Sequence, residues 1–142
     1  MSDFSAFLAQ NKIKHENVKY VASKDFVDKQ GKSLEWELKR IDSDTDESIR
    51  RSCMRQIKVV GKANQFRSEM DTTSYITKLT VATIVFPDLN NKELQDSYGV
   101  MGADALIKKM LAPGEYADLC AKVSEVNGFD TDMNDLVEEA KN

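Results

Sequence analysis

Residues 90–130, NNKELQDSYGVMGADALIKKMLAPGEYADLCAKVSEVNGFD, constrain this chain more than any other stretch, because turn chemistry divides them into three short helices. Asn91 is a cap residue for a helix over Lys92–Tyr98, and Gly99 is placed to stop it, since glycine takes the left-handed backbone of a helix end without steric cost. From Gly102, residues Ala103, Leu106, Ile107, Met110 and Leu111 recur at i, i+3, i+4, i+7 and i+8, the apolar face of a second helix. Pro113 opens the third, with Glu115 in its first turn and Tyr116, Leu119, Cys120 and Val123 facing inward, and Asn127-Gly128 closes it. A last, acidic helix is predicted over Thr131–Lys141. Short capped helices without a catalytic constellation point to a helical surface used for contact.

Upstream lies the strongly apolar run Thr72–Phe86, TTSYITKLTVATIVF. Its β-branched content allows a strand. The Asp71-Thr72-Thr73 capping cluster and the helical spacing of Tyr75, Ile76, Leu79, Ala82 and Phe86 favour a central helix over the whole run, its second half buried nearly all round and ended by Pro87. Strand character is clearest in Asn17–Ala22 and Ser33–Ile41. In the latter, Leu34, Trp36 and Leu38 alternate with Glu35, Glu37 and Lys39, the period-two pattern of an antiparallel sheet with one wet face. Gly31 in DKQGKS supplies the turn between them, and Trp36 reads as a core anchor. Asp44 or Thr45 caps a following helix whose stripe is Ile49, Cys53 and Ile57, with Arg50, Arg51 and Arg55 on a solvated face. Val59–Asp71 shows no steady period and reads as an irregular connection, with room for a short strand. Ser2–Gln10 is a short amphipathic helix candidate capped by Ser2, with Phe4, Phe7 and Leu8 on one face. It is expected to dock on its own domain, the alternative being an arm that reaches a neighbouring subunit.

The predicted fold class is therefore α+β, predominantly α, in a single domain over residues 1–142. An N-terminal arm (1–16) precedes an antiparallel β-hairpin or meander (17–41) and a helical region (44–142) of about five helices.

At 142 residues, 41% hydrophobic and 31% charged, the chain is an ordinary soluble domain able to bury roughly two-thirds of its unfolded surface. No run approaches the ~20 apolar residues of a membrane span, and MSDFSAFLAQNKIKHE lacks the basic-then-apolar pattern of a secretory leader, so a cytoplasmic protein is expected. Charge is uneven: residues 1–70 hold 14 Lys/Arg against 11 Asp/Glu, and residues 71–142 hold 6 against 13. The acidic second half disfavours nucleic acid, and a helix-turn-helix reading of Ala103–Val126 fails because Glu115, Asp118 and Glu125 would repel phosphates. Two acidic stretches begin like calcium loops, Asp42-Asp44-Asp46 and Asp130-Asp132-Asn134, but neither has glycine at the sixth place or glutamate at the twelfth. His15 is the sole histidine and the two cysteines, Cys53 and Cys120, are far apart in sequence, so no metal, cofactor or enzymatic site is expected.

The stretches PDLNNKELQDSYGV (Pro87–Val100), ADALIKKMLAPGEYADLCAKV (Ala103–Val123) and VNGFD (Val126–Asp130), with the Trp36 strand upstream, resemble the XkdN-like family of phage tail assembly chaperones. That resemblance implies a non-enzymatic protein that binds the tape measure protein and keeps it soluble while the tail tube polymerises. It further implies self-association into a homo-oligomer and, in members with a frameshifted longer product, recruitment of the tail tube protein. The alternative is a structural tail or connector-associated protein retained in the virion. Met101 and Met110 flank the most family-like helix, and with Leu106 and Tyr116 they are the candidate partner-binding residues, because flexible methionine surfaces suit varied helical clients.

Overall fold

The structure, a computed structural model, describes residues 3–129. Strands β1 (Val18–Tyr20) and β2 (Trp36–Leu38) pair antiparallel, with Val18 opposite Leu38 and Tyr20 opposite Trp36. The predicted alternation holds where it matters: Trp36 and Leu38 are buried, and Leu34, just before the strand, stays at the edge. The turn between the strands is pinned by Asp28, whose carboxylate accepts from the Gln30 and Lys32 N–H groups, with Val27 bridged to Ser33.

Helix α1 (Ser43–Ser52) starts two to three residues earlier than expected. Asp42, not Asp44 or Thr45, is the cap, accepting from the Thr45 N–H at 2.8 Å. The helix stops at Ser52, so Ile57 belongs to the next strand and the Ile49–Cys53–Ile57 stripe is broken. Arg50 is not left to solvent either. Its guanidinium lies 4.5 Å from the Tyr75 ring centre and donates to Asp46 and to the Tyr75 hydroxyl.

A two-stranded hairpin follows, β3 (Met54–Lys58) and β4 (Phe66–Met70), in continuous register from Met54–Met70 to Lys58–Phe66. Strand β4 is the short strand that residues 59–71 allowed within an irregular connection, and the hairpin interrupts the helical region predicted for 44–142. Its pairs include Arg55 with Glu69 and Gln56 with Ser68, and most of its residues are exposed, so no face carries a hydrophobic period.

Helix α2 (Thr72–Thr83) is central, capped by Asp71 and packed on α1 and on two later helices. Tyr75, Ile76, Leu79 and Thr83 are buried. The helix does not continue to Phe86. Ile84–Phe86 forms β5, antiparallel to β2 with Leu38 opposite Ile84, giving the sheet order β1-β2-β5. The Lys39 N–H donates to the Thr83 carbonyl at 2.8 Å, so strand pairing captures the last helical residue. Val85, Phe86 and Ala82 are exposed, and the expected burial all round is wrong for this end.

Helices α3 (Lys92–Ser97), α4 (Ala103–Met110) and α5 (Pro113–Val126) lie where the turn chemistry placed them. Asn91 caps α3 through the Leu94 N–H, and Gly99 and Gly128 take φ values of +68° and +76° at helix ends. Glu115 accepts from the Ala112 N–H at 2.8 Å, fixing the start of α5 behind Pro113. Leu106, Ile107, Leu119, Cys120 and Val123 close the core over α2.

The N-terminal arm is two 3₁₀ turns, Asp3–Phe7 and Ala9–Asn11, instead of an α-helix. Phe4 and Phe7 are 73% and 84% exposed, so the expected docking on its own domain is absent among the described residues. Turns this short cannot offset helix nucleation without burial. The predicted cap Ser2, the helix over 131–141 and the Asp130-Asp132-Asn134 stretch lie outside the described residues. No helix among the described residues is long and apolar enough to cross a membrane.

Candidate functional site

The β5 strand creates a surface feature that a continuous helix would have abolished. Its edge, the β2 strand and the face of α3 enclose an apolar groove of about 340 Å³. Trp36 forms the floor and is 2% exposed, with the Phe26 ring tilted against it at a centroid distance of 6.3 Å. Leu34 and Phe86 form one rim, 39% and 50% exposed, and Pro87 extends it. Leu94, Ser97 and Tyr98 of the α3 side make the opposite wall, and Met110 closes the end.

Polar chemistry in this groove is sparse. The Ser97 hydroxyl is spent on the Leu94 carbonyl at 2.7 Å, and the other side-chain polar groups of the lining are the Tyr98 hydroxyl and the Trp36 indole N–H. A small polar substrate would find few groups to orient it. An apolar side chain of a partner would gain about 1.5–3 kcal/mol on full burial there.

Ionisable groups elsewhere serve the fold. Glu37, Asp42, Asp71 and Glu115 are all held below the usual carboxylate range, by hydrogen bonds from Asn17, Thr45, the Ser74 N–H and the Ala112 N–H respectively. Such groups stay ionised and stabilise helix and strand ends. Burial pushes the Tyr75 and Tyr116 hydroxyls and the Cys120 thiol upward, away from reactive ionised forms. Among the described residues no group of three or more His, Cys, Asp or Glu side chains is placed to hold a metal ion.

The four candidate contact residues read from sequence do not share one surface role. Met101 sits between α3 and α4 at 92% exposure. Leu106 is fully enclosed in the core. Tyr116 is half-buried, its hydroxyl 2.7 Å from the Thr77 hydroxyl across the α2–α5 interface. Met110 alone lines the groove. Sequence reasoning missed Phe26, Leu34, Phe86, Leu94 and Tyr98 as neighbours, since they come from segments up to about 70 residues apart that only the β2–β5 pairing unites. The available signal was Leu34, an apolar residue continuing the inward face of a strand past the point where the sheet ends.

The sequence model of the phage XkdN-like tail assembly chaperone proteins matches residues 4–141. The chain is 30% identical to the phage-like element PBSX protein XkdN of Bacillus subtilis strain 168, over 99% of this chain and 94% of that protein. It is 33% identical to the uncharacterized protein YqbN of the same organism, over 99% and 93%. A crystal structure of the protein YqbN superposes with a TM-score of 0.76 at 29% identity, covering 92% of this chain and 99% of that one.

Proposed function

This chain belongs to the phage XkdN-like tail assembly chaperone family, and on that footing we propose that it is a non-enzymatic chaperone that binds the tape measure protein and keeps it soluble in the host cytoplasm during tail tube assembly. The observation that carries this reading is the Trp36 groove: apolar, open to solvent and nearly without polar groups. A client recognised there would insert aliphatic or aromatic side chains from a helix or extended segment. Burial of one or two such side chains gives weak, reversible contact, and many copies along a long client would supply avidity. The same arrangement favours self-association along the client, and a longer frameshifted form would bring tube subunits to it. The net charge of −4 keeps a protein with an open apolar groove in solution.

The test is co-expression with the tape measure protein of the same phage genome. The rim variants Leu34→Asp and Phe86→Asp are already solvent-accessible and should fold normally, which circular dichroism and a urea titration verify. The wild type should hold the client in the soluble fraction, and both variants should lose it. Undiminished solubilisation by both folded variants would refute the groove as the client site. Finding the protein in stoichiometric amount in purified virions would instead favour a structural component.

A further inference from the structure

The exposed arm has an order of its own. Asp3–Phe7 is a single 3₁₀ turn, in which side chains three positions apart eclipse, so the Phe4 and Phe7 rings stand on one side. The Asn11 side chain donates to the Ser5 carbonyl at 2.7 Å and the Asn11 N–H to the Leu8 carbonyl at 2.9 Å, which holds the turn in shape. Two aromatic rings are thus aligned and left in solvent, although aromatic side chains have the most apolar area to gain from burial.

The sheet sets this arm and the Trp36 groove at opposite ends of β2. Val18 stands opposite Leu38, so the residues before Val18 run past the end of β2, where Ala9, Ile13 and His15 share a cleft with Lys39 and Arg40. The groove opens at the other end, on Leu34 and Trp36. Charge divides the same way. Lys12, Lys14, Lys39 and Arg40 gather at the root of the arm. The segment that walls the groove, residues 87–98, carries Asp88, Glu93 and Asp96 against Lys92 alone.

We propose that, in the absence of client, Phe4 and Phe7 of one copy insert into the Trp36 groove of a second copy, in a head-to-tail contact. A cavity of about 150 Å³ suffices for a benzene ring. The groove, at about 340 Å³, therefore has room for both, and its lining is apolar as the rings require. Charge fixes the polarity of the contact, because the basic root of the arm meets the acidic wall of the neighbour's groove. The hydrogen-bonded turn at the far end of β2 keeps the rings away from the groove of their own chain. Donor and acceptor surfaces differ, so each added copy still offers one free arm or groove, and the contact extends into open chains or closes into a ring. The arm thereby covers the groove until a client competes for it. The contact rests on the reading of the groove as a binding site and needs no client.

The experiment uses the full chain without client, followed by sedimentation equilibrium and by the emission of Trp36, the sole tryptophan. The wild-type mass should rise with concentration, and Trp36 emission should shift with it. One variant, Phe4→Ser with Phe7→Ser, removes the rings of the arm; a second, Phe86→Asp, spoils the groove. All three positions are exposed, so both variants should fold, which circular dichroism verifies. Each alone should stay monomeric. Mixed together, F4S/F7S supplies an intact groove and F86D an intact arm, so they should form a one-to-one dimer that grows no further. A wild type that is monomeric up to about 1 mM would overturn the proposal. So would association that persists in either folded variant, or a mixture that stays monomeric. A monomer whose Trp36 emission responds to F4S/F7S would put the arm in its own groove, against the proposal. The F4S/F7S groove is intact, so its solubilisation of the tape measure protein tests the client reading separately.

Discussion

Asn127→Ala should weaken the fold at the junction that creates the groove. The Asn127 side chain accepts from the Ile41 N–H at 2.9 Å and donates to the Thr83 hydroxyl at 2.9 Å and to the Val123 carbonyl at 3.0 Å. It thereby joins the end of β2, the α2–β5 switch and the end of α5. Three neutral hydrogen bonds contribute a net of about 0.5–1.5 kcal/mol each. Asn127 is only half-buried, so water recovers part of the loss, and the expected destabilisation is about 2–3 kcal/mol. With a urea slope of about 1–3 kcal/mol per molar, the unfolding midpoint should fall by roughly 1 M or more at unchanged slope. Asn127→Asp should not rescue it. The carboxylate keeps the acceptor for Ile41 but sets a second oxygen against the Thr83 oxygen, whose hydrogen is already committed to the Leu79 carbonyl at 2.8 Å. Amide exchange should accelerate at Lys39 and Ile41 before it does in the α4–α5 core. A change below about 0.5 kcal/mol, the size of an ordinary surface substitution, would refute this reasoning.

Leu106→Ala should cost about 2–5 kcal/mol by leaving a cavity in the core, whereas Met101→Ser should change stability by no more than about 0.5 kcal/mol, both read by urea denaturation. Tyr75→Phe removes a hydroxyl that donates to Asp46 and accepts from Arg50, at an expected loss of about 1–2 kcal/mol. Burial, reinforced by Asp46, raises the Tyr75 hydroxyl's pKa above its ordinary 10.0 in the fold. Its contribution is therefore complete below pH 10.0 and declines as pH rises beyond that value, and the phenylalanine variant should lose this alkaline component of the wild-type pH profile. Asp42 and Asp71 are held below their ordinary 3.8 by the Thr45 hydroxyl and the Ser74 N–H. Their stabilisation is present above pH 3.8 and lost as pH falls through the lower folded values, so Asp42→Asn with Asp71→Asn should flatten the acid limb of a stability profile.

The parts of the fold legible in sequence are those fixed by local chemistry. Asn91, Gly99, Pro113 and Gly128 set the bounds of α3 and α5 through caps and backbone preferences that need no tertiary partner. Trp36 and Leu38 announced the β2 face by alternation. The α2–β5 switch was hidden because TTSYITKLTVATIVF satisfies both a helical and a strand pattern; pairing of Ile84 with Leu38, 46 positions apart, decides it. The 54–70 hairpin was hidden for the opposite reason, as both its faces meet water and leave no pattern to detect. The candidate site inherited the first difficulty. Met110 was found from its helix stripe, while its neighbours Leu34 and Phe86 meet only after β5 forms.

Trp36 is the sole tryptophan and forms the floor of the groove, so its fluorescence tests the central claim directly. Titration with helical peptides from the tape measure protein should produce a saturable emission change that Phe86→Asp abolishes without unfolding the protein. Peptide binding by an independent method with Trp36 emission unchanged and Phe86→Asp fully competent would contradict the account.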